Sequence, residues 1–119
     1  MNANPNDSVK RDVRHLILDL RQMKEFCERP LVMESGDGVY LFDIDGKRYI
    51  DGISGIFVAN VGHGNRHVID AIRAQHERVA FVPPLHGVSD VAVRYARRLT
   101  EITPEGMNTF KLVCGGSEA

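Results

Sequence analysis

Apolar residues recur every three to four positions in three stretches of the chain, which is the spacing of one face of an α-helix. The first stretch follows Ser8, a residue type favoured at the N-cap, and can extend to Phe26. Pro30 ends it, because proline disfavours helical backbone in the residue before it. We predict one helix whose apolar face consists of Val9, Val13, Leu16, Ile17 and Leu20. The polar residues 1–7 are expected to form a disordered or loosely attached arm.

Two further helices are predicted in the second half of the chain. One covers residues 66–79, with Asn65 as its N-cap and an apolar stripe at helical spacing. The other begins after the N-cap Ser89 and ends near Ile102. The intervening Pro83-Pro84 pair predicts an extended loop between them.

Strand-forming residues on both sides of Asp45-Gly46 predict a β-hairpin over residues 39–51. A two-residue type I′ turn needs positive φ at both of its positions, which glycine adopts freely and aspartate tolerates, so Asp-Gly suits it. Such a turn pairs Phe42 with Tyr49, Leu41 with Ile50 and Asp43 with Arg48. The segment 31–34 is short and apolar, and we predict that its backbone is extended.

Two other apolar segments lie after the hairpin. Residues 52–64 are rich in glycine but too apolar for a solvated loop, so we expect their side chains to be buried against this chain or another. Residues 110–114 are almost continuously apolar, as is typical of a strand inside a parallel sheet.

Composition and charge narrow the function classes. The chain has 119 residues, a formal net charge of -1 and 43% hydrophobic residues, which describes an ordinary globular protein. The balanced charge argues against nucleic acid or an anionic membrane as a partner. The two cysteines lie far apart, without a CxxC pair, and the start lacks a secretory signal. We therefore expect a cytoplasmic setting.

The segment Gly115-Gly116-Ser117-Glu118-Ala119 carries the clearest chemical signal. A helix that opens after a buried strand directs backbone amides and the positive end of its dipole toward an anion. Glycines permit close approach of a phosphate, and Ser117 adds a hydroxyl donor. The motif GxxxxGK[ST] is absent, so this is not a nucleotide P-loop. Taken alone, the segment is more commonly a glycine-rich turn between strand and helix.

Histidines and a cysteine offer other candidates. His63 lies between two glycines with His67 four residues on, but closed zinc sites need three or four ligands and the sequence supplies no others nearby. We expect His63 to order its loop by hydrogen bonding to backbone. His86 suits a pocket or a surface loop equally well. Cys114 ends an apolar strand and is expected to be an inert core thiol.

The order of these features is more specific than any one of them. GVYLFDIDGKRYIDGISG is followed by NVGHGN, a helix with AIRAQ, PPLHG, a second helix, TPEG and a strand before GGSEA. In this order they resemble the N-terminal part of the class III aminotransferases, which are pyridoxal-phosphate enzymes of fold type I. The resemblance implies an α/β fold. The resemblance covers about residues 30–119. It implies that residues 1–50 form an N-terminal arm and small-domain hairpin, and that 51–119 begin the large cofactor-binding domain.

The resemblance also assigns site residues. Gly116 and Ser117 match the positions that hold the cofactor phosphate, and Gly115 stands beside them where many members have serine. Two pairs match parts of the substrate site: Ile56 with Phe57, and Leu85 with His86. The first pair lines the pocket, where an aromatic suits an apolar amine or ω-amino substrate. The second lies in a loop that reaches the neighbouring subunit's active site in a homodimer.

Departures from the family pattern concern two segments. Asn65-Arg66 stands where His-Pro is common, so the helix start loses the preset φ of proline. Residues 15–26 match the family's N-terminal pocket loop only loosely, which leaves the substrate open.

By the same resemblance, the Schiff-base lysine, the acidic partner of the pyridine nitrogen, the ring-stacking aromatic and the carboxylate-binding arginine lie downstream of Ala119. Lys111 is rejected as the Schiff-base lysine, because it immediately precedes the phosphate segment. The sequence ends where a helix opens, which we interpret as a truncation, and the 119 residues alone are expected to be inactive.

The leading hypothesis is amino transfer from an amine or ω-amino acid donor to a 2-oxo acid, with pyridoxal 5′-phosphate as cofactor. An aminomutase, racemase or decarboxylase of the same family would share these features. A hypothesis of another class is a small non-enzymatic module that binds an anion at Gly115–Ser117.

Overall fold

The computed structural model describes residues 4–119, which divide into two compact units. The first unit ends at Ala71, and the second is Ile72–Ala119. The first contains short helices and an antiparallel sheet. No helix formed by the described residues is both long enough and apolar enough to cross a membrane.

The first helix, α1, spans Pro5–Asp12 and begins earlier than predicted. Its N-cap is Asn4, whose side-chain oxygen accepts from a backbone amide two residues on, and Pro5 supplies a preset φ. Ser8 is therefore not the N-cap; it lies inside the helix and donates to the carbonyl of Pro5. The prediction of a loose arm is wrong for the helical residues, while residues 1–3 lie outside the described part of the chain.

The predicted long apolar face is not formed. After α1 a 3-10 turn, Val13–His15, ends the helical course, and Leu16 adopts an extended backbone. Val13 is buried at 6% exposure, whereas Ile17 and Leu20 are 95% and 105% exposed. Leu20 has a φ of +55°, which a right-handed helix does not allow. The chain therefore turns away before the second half of the stripe can pack.

A second short helix, α2, spans Met23–Glu28 and stops before Arg29-Pro30, as the proline predicts. Its N-cap is Gln22, whose side-chain oxygen accepts from the amides of Lys24 at 2.6 Å and Glu25 at 3.4 Å.

Three antiparallel strands follow in the order β1-β2-β3: Met33–Asp37, Tyr40–Asp43 and Arg48–Ile50. The hairpin between β2 and β3 confirms the predicted element but not its register. Phe42 pairs with Arg48 and Leu41 with Tyr49, one position away from the predicted pairs.

The register differs because the turn has three residues instead of two. The amide of Asp43 donates to the carbonyl of Lys47, and the amide of Gly46 donates to the carbonyl of Asp43. Within the turn φ is positive at Gly46 (+80°) and not at Asp45, so a type I′ turn is ruled out. The carboxylate of Asp43 favours the three-residue turn, because it accepts from the amides of both Asp45 and Lys47.

Helix α1 is fastened to this turn at two points. The side-chain amide of Asn6 donates to the carbonyl of Ile44, and Lys10 Nζ lies 2.5 Å from a carboxylate oxygen of Asp45. The hairpin and α1 therefore support each other within the first unit.

Three helical elements follow the sheet, and the two longer ones confirm the predictions made for them. The short element, α3, spans Ser54–Phe57. α4 spans Arg66–Arg78, and its preceding Asn65 accepts from the amide of Val68 at 3.2 Å. α5 spans Asp90–Thr100, and the hydroxyl of Ser89 accepts from the amide of Ala92 at 3.3 Å.

Residues 110–114 form no strand, contrary to prediction. A strand needs a hydrogen-bonded neighbour, and no described segment pairs with their backbone. Cys114 is consequently exposed, which corrects the expectation of a core thiol. Apolar side chains of the segment 52–64 are also exposed in this chain, for example Val58 at 82%.

Candidate functional site

The α3 turn that follows the sheet in the first unit has left-handed backbone. All four of its residues, Ser54–Phe57, have φ between +51° and +68°. Left-handed backbone costs an L-residue roughly 1–2 kcal/mol, and only Gly55 escapes that cost. A strained run of this kind persists only where its surroundings fix it.

Asp51 supplies part of that fixation. Its Oδ1 accepts from the amide of Ile53 at 3.3 Å, and its backbone amide donates to the carbonyl of Val39 at 2.9 Å. The carboxylate is nearly buried, with 10% of the side chain exposed. One end of the turn is therefore joined to the sheet through a single residue.

His63 fixes the other end of the segment. Its Nε2 lies 2.8 Å from Oδ2 of Asp51, and its backbone forms an antiparallel bridge with Gly38. The two bridge hydrogen bonds measure 3.0 and 2.8 Å. His63 was expected to bond to backbone; its main chain does so, while its ring pairs with a carboxylate.

Glycines permit this close approach. A Cβ placed on Gly36 would lie 2.7 Å from both Cβ and Cγ of His63, a distance that real structures exclude. A Cβ on Gly62 would lie 3.1 Å from the carbonyl oxygen of Gly38. The imidazole therefore rests on bare backbone of β1.

Hydrogen bonds to the ionised form lower the pKa of Asp51. The largest cause is the side chain of His63, and the amides of Ile53, Gly55 and Ser54 act in the same direction. Burial opposes them. The carboxylate is thus held as an anion that accepts from both the ring and the turn.

Ile56 and Phe57, the candidate pocket residues, lie on α3 with 75% and 78% of their surface exposed. The backbone amide of Phe57 donates a hydrogen bond to the carbonyl of Ile53 at 3.0 Å. The turn thus presents two adjacent apolar side chains to the surface of the first unit.

The remaining candidates belong to the second unit. Leu85 is 93% exposed, and His86 is exposed in a turn closed by its amide and the carbonyl of Pro83 at 3.0 Å. Gly115, Gly116 and Ser117 are also exposed.

Residues 114–119 form a turn instead of a helix of several turns. The amide of Ala119 lies 3.3 Å from the carbonyl of Gly115 and 3.1 Å from that of Gly116. A carboxylate oxygen of Glu118 accepts from the amide of Cys114 at 2.9 Å. No atom lies within 4 Å of a Cβ built on Gly115 or Gly116, so the space above these glycines is open.

The second unit also contains an apolar groove of about 770 Å³. It is bordered by the end of α4, the start of α5 and residues 110–112, including Lys111. Among residues 4–119, no three His, Cys, Asp or Glu side chains gather in a way that could hold a metal ion. His67, considered with His63, is exposed on α4.

Asp51 was not among the site residues predicted from the sequence. A signal was available: aspartate often accepts from a backbone amide two residues on, and Asp51 stands just before a glycine-containing apolar turn. Its pairing with His63 could not be found from spacing, because the two residues are twelve positions apart.

The chain is similar to members of a known protein family. The family model described as aminotransferase class-III matches residues 23–119. An adenosylmethionine-8-amino-7-oxononanoate aminotransferase of Anoxybacillus flavithermus is 37% identical over 96% of this chain and 25% of its own length. An acetylornithine aminotransferase of Archaeoglobus fulgidus is 30% identical over 95% of this chain and 28% of its own.

A solved structure gives the same picture. The chain superposes on an (S)-enantioselective omega-transaminase from Thermomicrobium roseum with a TM-score of 0.87 and 38% identity. The match covers 97% of this chain and 26% of that one. The chain thus spans about a quarter of the length of the relatives that it matches.

Proposed function

Because the chain belongs to the class III aminotransferase family, we propose that it is part of an enzyme that transfers an amino group from an amine or ω-amino acid to a 2-oxo acid. The observation that carries the proposal is the family match over residues 23–119, which includes the whole of the turn at 114–119. Members of the family depend on pyridoxal phosphate, which supplies the electron sink for bonds to the amine carbon.

The turn at residues 114–119 suits the phosphate of that cofactor. Its amide at Cys114 already donates to an anionic oxygen, that of Glu118, at 2.9 Å. Gly115 and Gly116 carry no side chain in the open space beside it, and Ser117 adds an exposed hydroxyl. We assign the phosphate to these three residues, which would bind it with backbone amides and one hydroxyl.

Ile56 and Phe57 would line the substrate pocket. Both are apolar and exposed on a turn whose backbone is fixed by hydrogen bonds, so they offer a preformed surface to an apolar amine. An aromatic ring at position 57 favours a donor with an apolar or aromatic substituent over a highly polar one.

Leu85 and His86 would belong to the substrate site of a second subunit. The proposal of a homodimer is supported by large apolar side chains that this chain leaves uncovered in the segment after the sheet. Those with more than 60% exposure are Ile53, Ile56, Phe57, Val58 and Val61. We also propose a cytoplasmic location, and a division between a small-domain segment over 1–50 and a large-domain segment over 51–119.

The test of the function is to read the coding sequence beyond the codon for Ala119 and to assay its complete product. The product should transfer an amino group from a panel of apolar amines and ω-amino acids to pyruvate or 2-oxoglutarate. Ser117→Ala should weaken cofactor binding, while Thr109→Ala, which removes an exposed hydroxyl elsewhere in the second unit, should not.

Two results would contradict the proposal. A stop codon directly after Ala119, with a monomeric and cooperatively folding chain, would favour the small anion-binding module. A complete product that racemises or decarboxylates the same amines without transferring nitrogen would favour one of the other reactions of the family.

A further inference from the structure

We propose that Asp51 and His63 are positioning residues that hold the α3 turn in the conformation that presents Ile56 and Phe57. The inference rests on the proposed function in one respect: it takes these two side chains as the wall of the substrate pocket. It adds two polar residues that would act on the substrate through the backbone without touching it.

The turn depends on support from outside itself. Ser54, Ile56 and Phe57 all have positive φ, and Ile56 is β-branched, the kind of residue for which such backbone is least favourable. Packing does not compensate, because Ile56 and Phe57 are both more than 70% exposed. The conformation must therefore be maintained by hydrogen bonds at its ends.

Asp51 and His63 close the segment that contains the turn. They stand twelve positions apart, and their side chains meet at 2.8 Å. Each is separately fixed to the connection between β1 and β2, Asp51 by its amide to Val39 and His63 by the bridge to Gly38. The segment thus begins and ends on the same stretch of backbone, with the Asp51–His63 hydrogen bond across its base.

The carboxylate of Asp51 forms hydrogen bonds both to His63 and to the turn itself. One oxygen, Oδ2, accepts from the ring of His63, and the other, Oδ1, accepts from the amide of Ile53 at the start of the turn. Both partners need the same carboxylate orientation. Loss of the ring would free the carboxylate to rotate, and the amide of Ile53 would lose a fixed acceptor.

The experiment measures the backbone of the turn directly. In the full 119-residue chain, labelled with ¹⁵N and ¹³C, scalar couplings and intraresidue amide–Hα NOEs report the sign of φ at Ile56 and Phe57. We expect positive φ in the parent chain and its loss, with averaged couplings, in Asp51→Ala and in His63→Leu. His63→Gln keeps a side-chain N–H donor and should restore the signature at least in part.

Two controls separate positioning from general stability. His67→Leu removes an exposed histidine of α4 and should leave the turn unchanged. The amide resonances of Phe42 and Tyr49 report whether the sheet remains folded in each variant. Positive φ retained in both Asp51→Ala and His63→Leu would overturn the proposal. So would loss of the sheet together with the turn in Asp51→Ala, His63→Leu and His63→Gln alike, since the pair would then be purely structural.

This measurement needs neither cofactor nor amine, so its outcome is independent of the aminotransferase assay. If the complete product is active, Asp51→Asn should raise KM for an apolar amine by a larger factor than it lowers kcat, because it loosens the pocket without removing a reacting group. An inactive product would contradict the proposed function, whereas the sign of φ at Ile56 and Phe57 would still decide whether the pair positions the turn.

Discussion

The carboxylate of Asp51 and the imidazole of His63 lie 2.8 Å apart across the base of a left-handed turn, and both are largely shielded from solvent. Asp51 also accepts from the turn, and His63 also pairs with the sheet. The two residues therefore connect the antiparallel sheet to the segment that carries the candidate pocket side chains.

Acid should weaken this connection. The pKa of Asp51 lies below its ordinary 3.8 in the folded chain, chiefly because of the hydrogen bond to His63. The stability that Asp51 contributes is therefore fully present above the unfolded pKa and is lost as the pH falls through the lower folded value. We expect the urea midpoints of the parent and of Asp51→Asn to differ at pH 6 and to converge as the pH is lowered through the folded pKa of Asp51. A difference that stays constant over this range would contradict the assignment.

Contact between β1 and the Gly-His-Gly loop should make Gly36 intolerant of substitution. In Gly36→Ala the new methyl would meet Cβ and Cγ of His63 at 2.7 Å, and both belong to a side chain held at its far end by Asp51. We expect destabilisation of about 1–3 kcal/mol, the usual cost of overpacking. Urea unfolding followed by far-UV circular dichroism measures it.

Gly52→Ala is the matched control for that substitution. No atom lies within 4 Å of a Cβ at this position, and its φ is not in the left-handed region. The change in unfolding free energy should stay within about 0.5 kcal/mol. Equal losses for the two variants would show that His63 does not rest on Gly36 in solution.

The hydrogen bond between Asp43 and Tyr49 should be measurable as a raised pKa of the Tyr49 phenol. Its hydroxyl donates to Oδ2 of Asp43 at 2.8 Å, and this bond to an anion raises the pKa of the phenol above 10.0. In Asp43→Asn the pKa should fall toward its ordinary value, as followed by the ¹³Cζ shift of Tyr49. Lys47 lies over the ring and acts in the opposite direction, so Lys47→Gln should raise the phenol pKa further.

The hairpin turn shows what sequence could and could not provide. Asp45-Gly46 located the hairpin, because its flanking residues favour strands and Gly46 takes the positive φ that a turn requires. The pairing register of the hairpin strands depends on a different residue. Asp43 accepts from two turn amides and from Tyr49, which favours a three-residue turn, and this choice depends on side-chain geometry that local propensity does not contain.

Helices were predictable to the extent that their caps act locally. Asn65 and Ser89 each accept from an amide three residues on, and both helices began where these residues predicted. The predicted start of the first helix was wrong because Asn4-Pro5 and Ser8 are both suitable helix starts. The helix begins at Asn4-Pro5, and in this position it contacts the distant hairpin turn. Residues 110–114 were predicted as a strand from their apolar character, but a strand exists only with a neighbour, which the described residues do not supply.

Lys111 provides a final test of where the cofactor would bind. It is exposed, beside an apolar groove, and lies four residues before Gly115, the first residue assigned to the phosphate. The resemblance to the family implies that the Schiff-base lysine lies downstream of Ala119, so we do not expect Lys111 to fill that role. When the 119-residue chain is mixed with pyridoxal phosphate and reduced with borohydride, peptide mass spectrometry should find Lys111 modified no more than the exposed lysine Lys24. Selective modification of Lys111, lost in Lys111→Arg and reduced in Ser117→Ala, would show instead that the phosphate segment and this lysine act together.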